Sequence, residues 1–116
     1  MSNLKDIRPA KNQIMLDRVR TLHYDANALA EIDEHFGSMN AGFAALQNGS
    51  IKALRFFLWA ALIHEDEELT EKYVGKFVNM SNLSEVGDKL SAAIKGDLPE
   101  PEDADEALED GTLDPT

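Results

Sequence analysis

Residues 51–63 (IKALRFFLWAALI) place the tightest constraint on how this chain folds. Taken as a helix, the stretch carries apolar side chains on nearly every side. One small core cannot cover all sides of such a helix, so either neighbouring helices wrap it or another chain does. Phe57, Leu58, Ala61 and Leu62 suit an ordinary core, whereas Phe56, Trp59 and Ile63 fall on other sides of the same helix. Domains of this size seldom enclose a helix completely. Aromatic side chains favour the centres of interfaces. The expectation is therefore a partner-binding or self-association surface built from Phe56, Phe57, Trp59 and Ile63, joined by Tyr73 and Phe77 from the next helix.

The 116 residues fit one domain. The chain has no Cys, which removes disulfides, Cys-based zinc sites and thiol nucleophiles from consideration. Its first residues carry scattered charges and no apolar core segment, so they do not read as a secretory signal. The longest apolar run, residues 56–63, is far too short to span a bilayer. The net charge of −11 is placed unevenly. Residues 97–116 hold nine acids and no base, while residues 1–96 hold thirteen acids and eleven bases, a net of −2. A near-neutral body with an acidic tail lacks the basic surface that a phosphate backbone requires, which argues against nucleic acid as a partner.

The pattern along the chain predicts a mainly α fold with a small N-terminal β-hairpin, about five short helices and a disordered acidic C-terminal tail. Residues 1–12 read as a flexible arm, 13–96 as a mainly helical domain and 97–116 as the tail. In residues 13–24 (QIMLDRVRTLHY), Leu22 and Tyr24 alternate with Thr21 and His23 at the period of a strand, with Asp17-Arg18 as the turn. Asp25 is placed to cap a helix carrying Ala28, Leu29, Ile32 and Phe36, which Gly37 ends. A second helix covers 39–46, with Phe43 and Leu46 inward and Gly49 as terminator. Ser50 caps the third, over 51–63, where Ala53, Ala60 and Ala61 permit close approach of neighbours. HEDEE (64–68) is a polar break, and Thr70 caps a fourth helix whose stripe is Tyr73, Val74, Phe77 and Val78. Asn82 and Glu85 have the spacing of a capping box for a fifth helix with Val86, Leu90, Ala93 and Ile94 inward and Gly96 at its end. Beyond Asp97 the chain has three of its four prolines and few large apolar groups, too little to offset the entropy of ordering.

No catalytic motif stands in the chain. His64 and Glu68 form an i, i+4 pair with Asp66 nearby, but no third ligand has metal-binding spacing and the second His of a zincin helix is absent. No Ser sits in a Gly-x-Ser-x-Gly turn and no glycine-rich loop precedes a helix. The tail's acidic pattern lacks the spacing of an EF-hand loop. Neither a metal nor another cofactor is expected, and the chain does not read as an enzyme.

Two segments together resemble the tail assembly chaperones of long-tailed phages and related prophages. One is HYDANALAEIDEHFG (23–37), which is similar to that family's strand-into-helix entry. The other is LRFFLWAALIHEDEELTEKYVGKFV (54–78), matching at Ala60, Leu62, His64, Glu65, Asp66, Leu69, Thr70 and Gly75. The resemblance extends over about residues 14–95. The chain departs from it with Glu67 where a proline is common and Ala61 where a glycine is common. The resemblance implies a non-enzymatic, homo-oligomeric protein of the host cytoplasm that acts in virion morphogenesis. Such a protein coats the long helical tape measure protein, keeps it soluble, helps recruit tail tube subunits and is absent from the mature virion. It implies no catalytic residues; many members also have a longer form made by ribosomal frameshifting. The residues alone leave a second class open, an acidic protein that sequesters a host protein. The near-neutral body counts against it, since a mimic of nucleic acid carries its charge on its folded surface.

Overall fold

The structure, a computed structural model, describes residues 10–97. It is mainly α with a small antiparallel hairpin, in the order β1 (Gln13–Met15), β2 (Val19–Thr21), α1 (Ala26–Phe36), α2 (Met39–Gln47), α3 (Ile51–Ala60), α4 (Glu71–Gly75) and α5 (Leu83–Asp97). The expected flexible arm, for residues 1–9, and acidic tail, for residues 98–116, lie outside the described residues. Residues 10–12, read from sequence as part of that arm, are held. The Gln13 amide donates to the Ala10 carbonyl, Lys89 of α5 donates to the same carbonyl, and the Leu22 amide donates to that of Asn12.

The hairpin pairs Gln13 with Thr21, Ile14 with Arg20 and Met15 with Val19. Alternation then sends Ile14, Arg20, Leu22 and Tyr24 inward, while Met15 and Val19 stay exposed. The three connections that follow use the residues the sequence offers. Asp25 accepts from the Ala28 amide at 2.9 Å and starts α1. Gly37, at φ +91°, turns the chain in a conformation L side chains rarely adopt, and Ser38 at once caps α2. Gly49 (φ +84°) and Ser50 repeat the device before α3.

α3 is the axis of the molecule. It packs against α1, α2, α4 and α5. Its flanks Ala53, Phe56, Phe57, Leu58 and Ala60, with Ala61 and Leu62 just beyond, are all buried. Of the two ways to cover this helix, the chain uses its own neighbouring helices. Small side chains make that possible. Gly42 of α2 sits so close that an added Cβ would lie 3.0 Å from Ile32, 3.1 Å from Phe36 and 3.4 Å from Phe57. The Tyr24 hydroxyl, taken into this interior, donates to the Phe57 carbonyl at 2.8 Å, so no desolvated hydroxyl is left unbonded.

Three boundaries differ from those the sequence suggests. α3 stops at Ala60 rather than at Ile63. Beyond it the bonds tighten to the i−3 spacing (Leu62 to Trp59, Glu65 to Leu62), and the Ala61 carbonyl accepts from the His23 amide instead of from a next helical turn. α4 is one turn long, ending at Gly75, and Phe77 and Val78 follow in i−3 turns. Asn82 forms no capping box. Its carboxamide faces upstream, accepting from the Asn79 amide and donating to the Phe77 carbonyl, while Asn79 accepts from Ser81 and Asn82. This network bends the chain from α4 into α5. At its other end α5 continues through Gly96 to Asp97.

Candidate functional site

The six residues expected at a binding surface separate into three pairs. Phe56 and Phe57 are 4% and 0% exposed, so neither belongs to a surface of the folded chain. Phe57 meets the rings of Tyr24, Phe36 and Phe43, and Phe56 stacks with His35 and meets Phe36 and Trp59. The sequence reading placed them outward because it treated the domain as too small to enclose α3. Neighbouring helices packed around small residues cover the side of α3 that carries both rings.

Trp59 and Ile63 are half-buried and do meet solvent. They line a groove of about 500 Å³ together with Asp25, Asn27 and Glu31 from the start of α1 and with His64 and Glu67. Trp59 is fixed there on two sides. Its indole N–H donates to the Leu69 carbonyl at 2.8 Å, and its ring lies 5.2 Å from that of Phe56. The indole holds the 61–69 turn onto α3 and at the same time forms part of the groove.

Tyr73 and Phe77 make an edge-to-face pair at 5.2 Å. Phe77 is half-buried, and Tyr73, 37% exposed, stretches to the hairpin turn, where its hydroxyl donates to Asp17 at 2.8 Å. Two exposed apolar side chains, Met15 and Val19, sit cross-strand on the outer face of the same hairpin.

The network beneath that turn was not anticipated from sequence. Arg20, 4% exposed, donates through Nε and Nη2 to both carboxylate oxygens of Asp17, at 3.0 and 2.8 Å. Its Nη1 makes no hydrogen bond among the described residues, and Glu65 lies 3.8 Å from it. Arg20's two donated bonds are the main cause holding the Asp17 carboxyl well below its usual range; burial opposes them and the Tyr73 hydroxyl adds to them. The same contact with Asp17 raises Arg20, and donation to Asp17 raises the Tyr73 phenol. A signal for Arg20 does exist in the sequence. The alternation that sends Leu22 and Tyr24 inward, carried back one step, sends Arg20 inward as well.

His64, Glu65 and Asp66 have structural tasks. His64 Nε2 lies 2.8 Å from the Thr21 carbonyl, an acceptor, so that nitrogen carries the proton. Glu65 accepts from the Thr21 amide at 3.1 Å. These two bonds and the His23–Ala61 bond pair the outward backbone groups at the end of β2 and just beyond it, at Thr21 and His23. Asp66 accepts from the Glu68 amide, and Thr70 caps α4 through the Tyr73 amide. Gly75 lies against Arg55, whose guanidinium meets Glu71 at 3.3 Å. Among the described residues no group of three or more His, Asp or Glu side chains is placed to hold a metal ion. Nor is any helix there long and apolar enough to cross a membrane.

Comparison of the chain with protein-family models, with curated proteins and with solved structures finds no match.

Proposed function

We propose that the protein is a tail assembly chaperone of a long-tailed phage or prophage. It binds the tape measure protein, keeps that protein soluble, helps recruit tail tube subunits in the host cytoplasm and does not enter the mature virion. It works by binding, without catalysis or cofactor, and as a homo-oligomer. The observation that carries this reading is that the two segments behind the resemblance form one structural unit. The Tyr24 hydroxyl bonds the Phe57 carbonyl, the His23 amide bonds the Ala61 carbonyl, and α1 lies against α3. Within the second segment, His64, Glu65, Asp66, Thr70 and Gly75 each have a defined contact, which supports reading those residues as parts of one structural unit. The physics of the role is consistent with the surface. A tape measure presents long apolar helical faces that aggregate when bare, and a carrier with a net charge of −11 keeps such a complex dispersed.

Co-expression tests this directly. The longest helix-rich tail protein encoded beside this chain is expected in the pellet when made alone and mostly in the soluble fraction when made with it. Equal amounts in the pellet with and without this chain would overturn the reading.

A further inference from the structure

We propose that the groove at Trp59 and Ile63 receives a partner's polypeptide segment presenting an aliphatic side chain next to a lysine or arginine. The inference deepens the proposed function and rests on it for the identity of the partner. A groove of about 500 Å³ holds a few side chains rather than a whole helical face. Its apolar part is preorganised. The Leu69 carbonyl and Phe56 hold the indole in place, so a guest need not order it on arrival.

Charge selects the guest. Asp25, Glu31 and Glu67 line the groove, and none of the three has a cationic partner among the described residues. The nearest unlike arrangement in the fold is instructive: Asp17, Glu65 and Glu71 are each matched to an arginine. Asp25 also caps α1, which offsets the positive end of that helix at the groove. The Glu31 and Glu67 residues are exposed and their carboxylates make no hydrogen bond or ion pair among the described residues, so they are available to an arriving ammonium or guanidinium. An aliphatic side chain would then rest on Trp59 and Ile63, with the cation beside it within reach of the carboxylates and of the indole face.

Trp59 is the chain's one tryptophan and lines the groove, so tryptophan emission reads changes at that place. The probe is a short amphipathic helical peptide, free of aromatic residues, with Leu on one face flanked by Lys. Saturable change in Trp59 emission is expected on titration of the full chain. Binding should be about tenfold weaker for the peptide with Glu in place of Lys, and for the Lys peptide against the Glu31→Gln/Glu67→Gln double variant. Both substitutions are at exposed positions, and an unchanged melting temperature shows that the variant is folded. Three results would each overturn the proposal: no saturable change, equal affinity for the two peptides, or an emission shift with protein concentration alone, which would make a second copy the occupant. The peptide titration and the co-expression experiment are separate. Soluble partner without peptide binding defeats the groove and leaves the chaperone, while peptide binding without solubilisation does the reverse.

Discussion

Phe57→Ala lowers the free energy of unfolding by about 3–5 kcal/mol, the cost of removing a large ring from a closed core. The side chain is fully buried, and the rings of Tyr24, Phe36 and Phe43 lie around it at 6.2, 5.9 and 5.9 Å. Gly42 brings the backbone of α2 to the same place. Alanine there leaves a void bordered by α1, α2 and the segment carrying Tyr24, and close packing limits how far these collapse into it. Small domains have roughly 5–15 kcal/mol in all, so the variant is expected to melt well below the parent, by roughly 4–8 °C per kcal/mol lost. Ile51→Ala and Met80→Ala are the controls, since these side chains are 57% and 88% exposed. Each should stay within about 0.5 kcal/mol of the parent. Urea unfolding of the three variants reads the difference. A loss of less than about 1 kcal/mol at Phe57 would mean that the ring is not the centre of the interior.

Arg20→Ala is expected to cost about 2–3 kcal/mol, less than the roughly 3–5 of a fully buried pair because Asp17 and Glu65 keep some contact with water. The variant leaves the Asp17 carboxylate with only the Tyr73 hydroxyl and leaves Glu65 without its cation. It also removes the side chain that faces the core opposite Ile14. The effect depends on pH with a definite sign. Asp17 is held below its ordinary value of 3.8 in the fold, so its contribution is complete well above that value and disappears as the pH falls below it. The stability gap between the parent and Arg20→Ala should therefore be widest near neutrality and close progressively below about pH 4. Tyr73 has the opposite dependence. Its phenol is raised above 10.0, so its bond to Asp17 is intact below pH 10 and lost as the pH climbs through the raised value. Urea unfolding across this range checks both limbs. A gap that does not narrow in acid would show that Arg20 stabilises by packing alone.

Local chemistry was legible in the sequence and enclosure was not. Asp25, Ser50 and Thr70 cap the helices they precede, and Gly37 adopts the positive φ that ends α1, because each of these acts within a few residues of itself. The inward positions of α5 likewise follow from spacing, with Val86, Leu90 and Ala93 all buried. Phe56 and Phe57 show where that reasoning stops. Whether an apolar side chain is interior depends on how closely distant segments approach, and here Gly42 decides it from another helix. Asn82 shows a second limit. The capping-box spacing is present, yet Asn79 offers a competing set of bonds and turns the carboxamide the other way. Of the candidate surface, Trp59 and Ile63 were identified from sequence, but the three carboxylates beside them were not. Asp25 caps α1, Glu31 lies within it and Glu67 is on the turn after α3, and only the fold brings them to one groove.

Capture of the full chain's partners from its own cells, after prophage induction, tests the proposed role most directly. With this protein as bait and mass spectrometry as the readout, a very long, helix-rich protein and a tail tube subunit are expected among the captured proteins. A single host protein, captured without any tail component from a lysate that contains tail proteins, would contradict a role in tail assembly and favour sequestration of that host protein.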